Sequence, residues 1–314
     1  MNSSSTRLCV QYLLSQSQNT DPSQWDRTSD LLVCIINAVL IIPTVALNLF
    51  VILSITRTPS LRKPSHALIC LLAFTDFGVG VLVQPLYIAR KVLAMRGDYE
   101  QFCVILQTGD VVSHVVCVPS FFIITATSVD RYLAVTSGRR YRSLVTNTRV
   151  LLVGLASLLF AGIVLGIRVL ANREKYMVIA AVLMFFCLSI IIFCYVRAVT
   201  ALKTAQFGRK FNVTHYKRAL VTLAIVTGVL FFCYVPFVGS VLAIAVHGRT
   251  RRLNAARELT TTLLFMNSFL TPALYGWRSR ELRSACAGIL GVKMSPSQAN
   301  LQTELSTVAE NNAK

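Results

Sequence analysis

Residues 103–133 read CVILQTGDVVSHVVCVPSFFIITATSVDRYL. Between Asp110 and Asp130 no residue carries a formal charge if His114 is neutral, and then Asp130 and Arg131 stand side by side. A charge at the centre of a bilayer costs roughly 2.5–3.5 kcal/mol on insertion scales. If the run is a membrane helix, the adjacent pair must sit at its edge and serve a purpose. Read back from Arg131, the positions Thr127, Ile124, Ser120, Cys117, Ser113 and Asp110 fall at steps of four and three, which keeps them on one helical face. All but Ile124 are polar or sulfur-bearing, among Val, Phe and Ile neighbours. Such a stripe must face protein or trapped water, not lipid. At about 1.5 Å per residue, Ser120 lies roughly 16 Å and Asp110 roughly 30 Å above Arg131, so the stripe runs between two mouths. Pro119 interrupts the backbone ladder beside Ser120 and is expected to bend the helix.

The rest of the chain supports a membrane reading. Hydrophobic residues make up 54% of the 314 and charged residues 14%, against about 25% charged in soluble domains. Apolar runs of bilayer length occur at 31–56, 66–90, 103–133, 149–170, 176–202, 217–246 and 258–276. They are continuously apolar, whereas barrel strands alternate. The fold class expected is therefore an all-α membrane protein, a seven-transmembrane helix bundle. The first thirty residues are polar and lack the basic head and apolar core of a cleavable signal, so the first span is expected to act as its own insertion signal. With the N-terminus outside, 19 of the 31 Lys and Arg residues fall on the cytoplasmic side. The net charge of +18 lies in short loops, where attraction to acidic membrane lipids is the expected role and nucleic acid is not. Asn2 heads an N-glycosylation sequon on the outer side. Most of the nine cysteines fall inside spans as small hydrophobes. Cys9 and Cys103 are the two placed to meet oxidising solvent, and a bridge between them is one possibility.

Asp76 in LAFTD sits mid-span with no evident cationic neighbour. It must be protonated, hydrated, or neutralised by a small cation held by oxygen ligands. Small polar residues such as Ser113, Cys117 and Thr127 can serve merely to join helices; Asp76, Asp110 and Arg131 are not accounted for in that way.

These residues carry a resemblance. Asn48, LAFTD in span two, DRY (130–132) closing span three, FFCYVP (231–236) in span six and NSFLTPALYGWRSRELR (267–283) closing span seven together resemble the rhodopsin-like G-protein-coupled receptors, over about residues 30–290. The resemblance implies a receptor that converts extracellular ligand binding into activation of a heterotrimeric G protein, with arrestin as a further partner, and it implies no catalytic residues. Carried over position by position, it makes Arg131 the arginine held by Asp130 at rest, with Tyr132 completing the motif. Tyr195 and Tyr275 become the tyrosines that swing toward Arg131 on activation, and Tyr234, Pro236 and Pro272 belong to the switch and its bends. Asp76, Ser120, Asn267 and Ser268 resemble the family's sodium pocket, so the one cofactor implied is an allosteric Na+. Residues 279–290 resemble the amphipathic eighth helix, with Leu282 inward and Cys286 either palmitoylated or simply interfacial. The chain then divides into an extracellular tail (1–30), the receptor domain with its eighth helix (31–290) and a cytoplasmic tail (291–314), in the plasma membrane. Ser295, Ser297, Thr303, Ser306 and Thr307 in that tail are candidate phosphorylation sites.

Departures matter too. Tyr234 replaces the family's tryptophan, Thr271 its span-seven asparagine and Cys187 its span-five proline; Tyr216 stands where many members have a carboxylate facing the arginine. Ligand-independent signalling is expected from that last change. The loop 171–175, ANREK, holds no cysteine, which together with the missing proline resembles the melanocortin receptors and their lipid and adenosine relatives. The pocket implied is lined by Asp110, Ser113, His114, Cys117, Tyr234, Phe237, Thr261 and Phe265. Ser113 in place of a carboxylate disfavours a biogenic amine, and span seven has no lysine for a retinal Schiff base. Arg90, Lys91, Arg96, Arg173, Lys175, Arg249, Arg251 and Arg252 make the outer rim basic, either recruiting an anionic ligand or lying as solvated loop charge. Asp110 would pair with a ligand cation or with a rim arginine. The rival readings are a signalling-poor scaffold or heterodimer partner and, further off, a transporter, for which no internal repeat is visible. An enzyme is not expected, since the four histidines are scattered singly.

Overall fold

A computed structural model describes Cys9 and residues 24–137, 140–170, 173–208, 213–248, 250–278 and 280–289. Every long element is helical: α1 (Gln24–Arg57), α2 (Pro64–Arg96), α3 (Tyr99–Thr136), α4 (Asn147–Leu170), α5 (Arg173–Gly208), α6 (Val213–His247), α7 (Arg251–Arg278) and the shorter α8 (Arg280–Ile289). Helices are what lipid permits, because each satisfies its own backbone groups within one segment. All begin or end beyond the apolar runs where their polar ends continue the hydrogen-bond ladder. Six of the described helices are long and apolar enough to cross a membrane. The seventh, α7, has 28 residues, or about 42 Å, and falls short in apolarity because it carries Glu258, Thr262, Asn267 and Ser268, which are engaged or buried inside the bundle.

Neighbours in sequence pack side by side, and α7 closes the ring against α1; α3 runs through the middle, touching α2, α4 and α5. Leu151, Leu155, Leu159 and Ile163 of α4 and Phe185, Phe186 and Phe193 of α5 point outward, as a lipid-facing surface requires. Inside, Leu72, Ile123, Ile191, Leu230, Cys233 and Tyr234 form the central cluster, and Val51, Ile55, Leu61 and Leu282 a lower one. Here "upper" denotes the end at which α1 begins. The bundle is a seven-transmembrane helical protein by architecture.

Two local features shape the upper half. α2 widens into a π-helical stretch at Val79–Val83, one turn above Asp76, a form common at functional sites. There Gly80 lets α1 approach: a Cβ at this position would stand 2.8 Å from Val45 Cγ2 and 3.2 Å from Thr44 Cγ2. Gly97, at φ +74°, ends α2, and Asp98 then caps α3 by accepting from the Gln101 amide. This tight turn brings Cys103 to the top of α3, where it is fully buried and bonded to Cys9, with Cα atoms 6.0 Å apart. Pro119 lies inside α3 without ending it.

Candidate functional site: a polar seam with a cavity at one end and an ion pair at the other

The seam begins at Asp76, which is fully buried. Its Oδ1 accepts from Ser120 Oγ of α3 at 3.0 Å and from Ser268 Oγ of α7 at 2.9 Å. Asn48 of α1 ties in by donating to the Ser268 and Thr44 carbonyls. The four helices are thus joined by oxygen-rich side chains at one level. Asp76 Oδ2, Asn267 Oδ1, Asn48 Oδ1 and Thr44 Oγ1 are all buried without a protein partner. Unsatisfied buried oxygens cost free energy unless something meets them. A carboxylate ringed by neutral oxygens is a donor set for a hard monovalent cation and its water. Asp76, Ser120 and Ser268 are brought together directly, and Asn267 is buried on the same helix as Ser268.

Above this level lies a cavity of about 370 Å³, within the range of small-molecule sites. The eight residues expected to line it all do so: Asp110, Ser113, His114, Cys117, Tyr234, Phe237, Thr261 and Phe265. Ser120 and Ser268 also border it, so the two hydroxyls that bond Asp76 form part of its wall. Tyr234 stacks on Phe121 with centroids 4.6 Å apart, and Phe265 meets Tyr87 edge to face.

Two ionic groups at the cavity's upper end differ from expectation. Asp110 Oδ2 pairs at 2.9 Å with Arg168 Nη2 of α4, a cation that is not among the rim residues named above. Arg168 also lies over the Tyr176 ring, and Tyr176 OH is hydrogen-bonded to His114 Nε2. On the opposite wall, Glu258 of α7 accepts from Tyr87 OH and lies 3.4 Å from both Arg90 Nη2 and Lys91 Nζ, while Lys91 reaches Asp30 of α1 at 2.8 Å. Arg90 and Lys91 are therefore half-buried and ion-paired, not loosely solvated. Arg96 and Arg252 are exposed; the side chains of Arg173, Lys175, Arg249 and Arg251 lie outside the described residues. Arg168 and Glu258 were the missed members. Each is a charge within or at the start of a long apolar run, a pattern that marks an inward-facing residue in a membrane helix.

Because the Asp110–Arg168 pair is about one-third exposed on each side, it contributes on the order of 0.2–1 kcal/mol. Asp110→Asn, Arg168→Gln and the double variant should show a coupling of that size in thermal unfolding of the purified protein. Strictly additive losses would mean the pair does not form.

At the lower end, Asp130 is buried and Arg131 Nε lies 3.6 Å from its Oδ2, with the Arg131 side chain 39% exposed. Tyr141, on the one-turn helix Tyr141–Leu144 that follows α3, donates to Asp130 Oδ1 at 2.8 Å. Burial, and then the adjacent Asp130 carboxylate, push the Tyr141 phenol up to about 12, so it keeps its proton and can donate. This residue had no signal in the sequence. Tyr132 lies 6.4 Å from the Phe193 ring of α5. Tyr195 is half-buried on α5, and Tyr275 packs between the central and lower clusters. Pro236 and Pro272 lie inside α6 and α7, Pro236 toward lipid and Pro272 buried.

Leu282 faces inward on α8. Cys286 is half-buried, with its Sγ 3.0 Å from Ser54 Oγ and packed against the lower cluster. Asn2, the tail residues from 290 on and the Tyr216 side chain lie outside the described residues.

A profile of the 7 transmembrane receptor (rhodopsin family) matches residues 47–175 and 163–275. The chain belongs to that family. It is accordingly a multi-pass membrane receptor and not an enzyme.

Proposed function

We propose that this receptor binds an extracellular ligand in the α3–α6–α7 cavity and passes the event to a heterotrimeric G protein at the Arg131 end, from the plasma membrane with its N-terminus outside. One observation carries the reading: Ser120 and Ser268 border the cavity and also hold Asp76. A ligand that shifts α3 against α7 changes the Asp76 cage directly. Asp76, Ser120, Asn267 and Ser268 would hold a sodium ion in the resting packing, supplying charge compensation for the carboxylate. Repacking toward the lower end would move Tyr195 and Tyr275 and release Arg131 from Asp130, opening a surface for the G protein and afterwards for arrestin. Such a device needs two packings only a few kcal/mol apart.

The test is nucleotide exchange on purified G proteins by the receptor in lipid nanodiscs, wild type against cavity variants. Exchange above empty nanodiscs supports the reading. Its absence across the G-protein classes would leave the signalling-poor scaffold, a reading to which Tyr234 and Thr271 lend weight. In the same assay Tyr141→Phe removes one hydrogen bond to the buried Asp130 carboxylate. A bond to a charged group is worth about 1.5–3 kcal/mol, so basal exchange should rise roughly tenfold or more if the resting state alone contains it. Unchanged basal exchange would mean that Tyr141 contacts Asp130 in both states.

A further inference from the structure

The hydroxyls that border the cavity are committed to the protein, with one exception. Ser120 and Ser268 donate to Asp76, Ser113 to the Asp110 carbonyl and Thr261 to the Arg257 carbonyl. Tyr87 donates to Glu258, and Tyr176 is bonded to His114. Tyr234 borders the same cavity and is only 7% exposed, yet among the described residues nothing accepts from its phenol. The oxygen is not enclosed by protein either; it opens on the cavity. A donor is therefore aimed into the space that a ligand would fill.

A phenol in this position is hydrated when no ligand is bound. An apolar ligand that displaced the water would leave the donor unpaired, at a loss of about tenfold or more in affinity. The neighbours decide which acceptor fits. Tyr234 stacks on Phe121 with centroids 4.6 Å apart, and Phe237, Val238 and Phe265 border the same cavity, so the surroundings are apolar and aromatic. Asp76 lies directly behind Ser120 and Ser268. A carboxylate at this depth would stand near a second acidic group and be disfavoured. A carbonyl oxygen or an aromatic ring nitrogen meets the phenol without that penalty.

We propose that the ligand carries an uncharged hydrogen-bond acceptor at its buried end, set on an apolar aromatic body, and that Tyr234 is the residue that selects for it. The phenol donates to this acceptor while its ring keeps the stack on Phe121. The proposal deepens the receptor reading given above and rests on it.

The test is direct binding, read by thermal shift of the receptor purified in a nonionic detergent, with no G protein and therefore no dependence on coupling. The probes are pairs matched in shape, fluorenone against fluorene and xanthone against xanthene, with fluorene-9-carboxylate as the charged control and potencies corrected for partition into micelles. Each ketone should stabilise the wild type at concentrations about tenfold or more below those of its hydrocarbon, and the carboxylate should be weaker than the ketone. In Tyr234→Phe each ketone should fall to the potency of its hydrocarbon, whose own potency should be little changed. The unliganded Tyr234→Phe receptor should melt at the wild-type temperature or above, because it loses no bond to protein; a purely structural hydroxyl would lower it. Equal potency of ketone and hydrocarbon on the wild type, a carboxylate stronger than the ketone, a ketone preference that survives in Tyr234→Phe, or a lower melting temperature of that unliganded variant would each overturn the proposal while leaving the receptor reading in place. If no probe of either kind shifts the wild type, the cavity is not a ligand site and both readings fall.

Discussion

Asp76→Asn should abolish the sodium sensitivity of this receptor. In the wild type, replacing sodium by choline at constant ionic strength is expected to raise agonist potency, because an ion that prefers the resting packing stabilises it in proportion to its occupancy. Coupling energies between such sites run about 1–3 kcal/mol, so the shift should lie in the range of roughly 5–150-fold. The Asn variant keeps the shape of Asp76 and one oxygen to accept from Ser120 and Ser268, which lie 3.0 and 2.9 Å from the present Oδ1. What it loses is the charge, and with it the reason for a cation to remain in the cage. Potency curves with and without sodium should therefore superimpose. A sodium shift of undiminished size in the variant would show that the ion acts elsewhere.

The second large effect concerns Arg131. Arg131→Ala should lower agonist-stimulated nucleotide exchange by at least tenfold while leaving ligand affinity within a few-fold, since Arg131 lies at the far end of α3 from the cavity. The variant also removes the nearest cation from Asp130, whose side chain is only 3% exposed. Leaving a buried charge unpaired is costly, although the Tyr141 bond remains. Surface expression must therefore be matched before rates are compared. Arg131→Lys is the useful control: it keeps the charge but not the planar fork. Wild-type exchange from the Ala variant would sink the role assigned to this arginine.

The seam was legible to very different degrees along its length. Asp76, Ser120 and the eight cavity residues could be placed from spacing and motif because each lies on a helix whose inward face is set by periodicity. α7 was legible as a span, though less apolar than the others, because its apolar run reaches bilayer length and ends in the NSFLTPALY stretch. Arg168 and Glu258 were not placed. A charge in an apolar run points to an inward face, but each lies near a helix end, and only the neighbouring helix decides which partner it meets. Tyr141 is a harder case. It follows a loop whose path relative to α3 depends on tertiary packing, and an isolated tyrosine after DRY carries no periodic signal. Cys286 shows the same limit: α8 is amphipathic by pattern, but which of its borderline positions meets α1 depends on how α8 rests against Ser54.

Taken alone, the order of residues determined the number of helices, the faces they bury and the family, because in lipid each helix must satisfy its own backbone and hide its own polar stripe. Which charges meet was decided only by the packed bundle. Asp110 reaching Arg168, and Glu258 gathering Arg90 and Lys91, are contacts between helices distant in sequence, and they depend on a few ångströms of lateral position and rotation that no local pattern encodes.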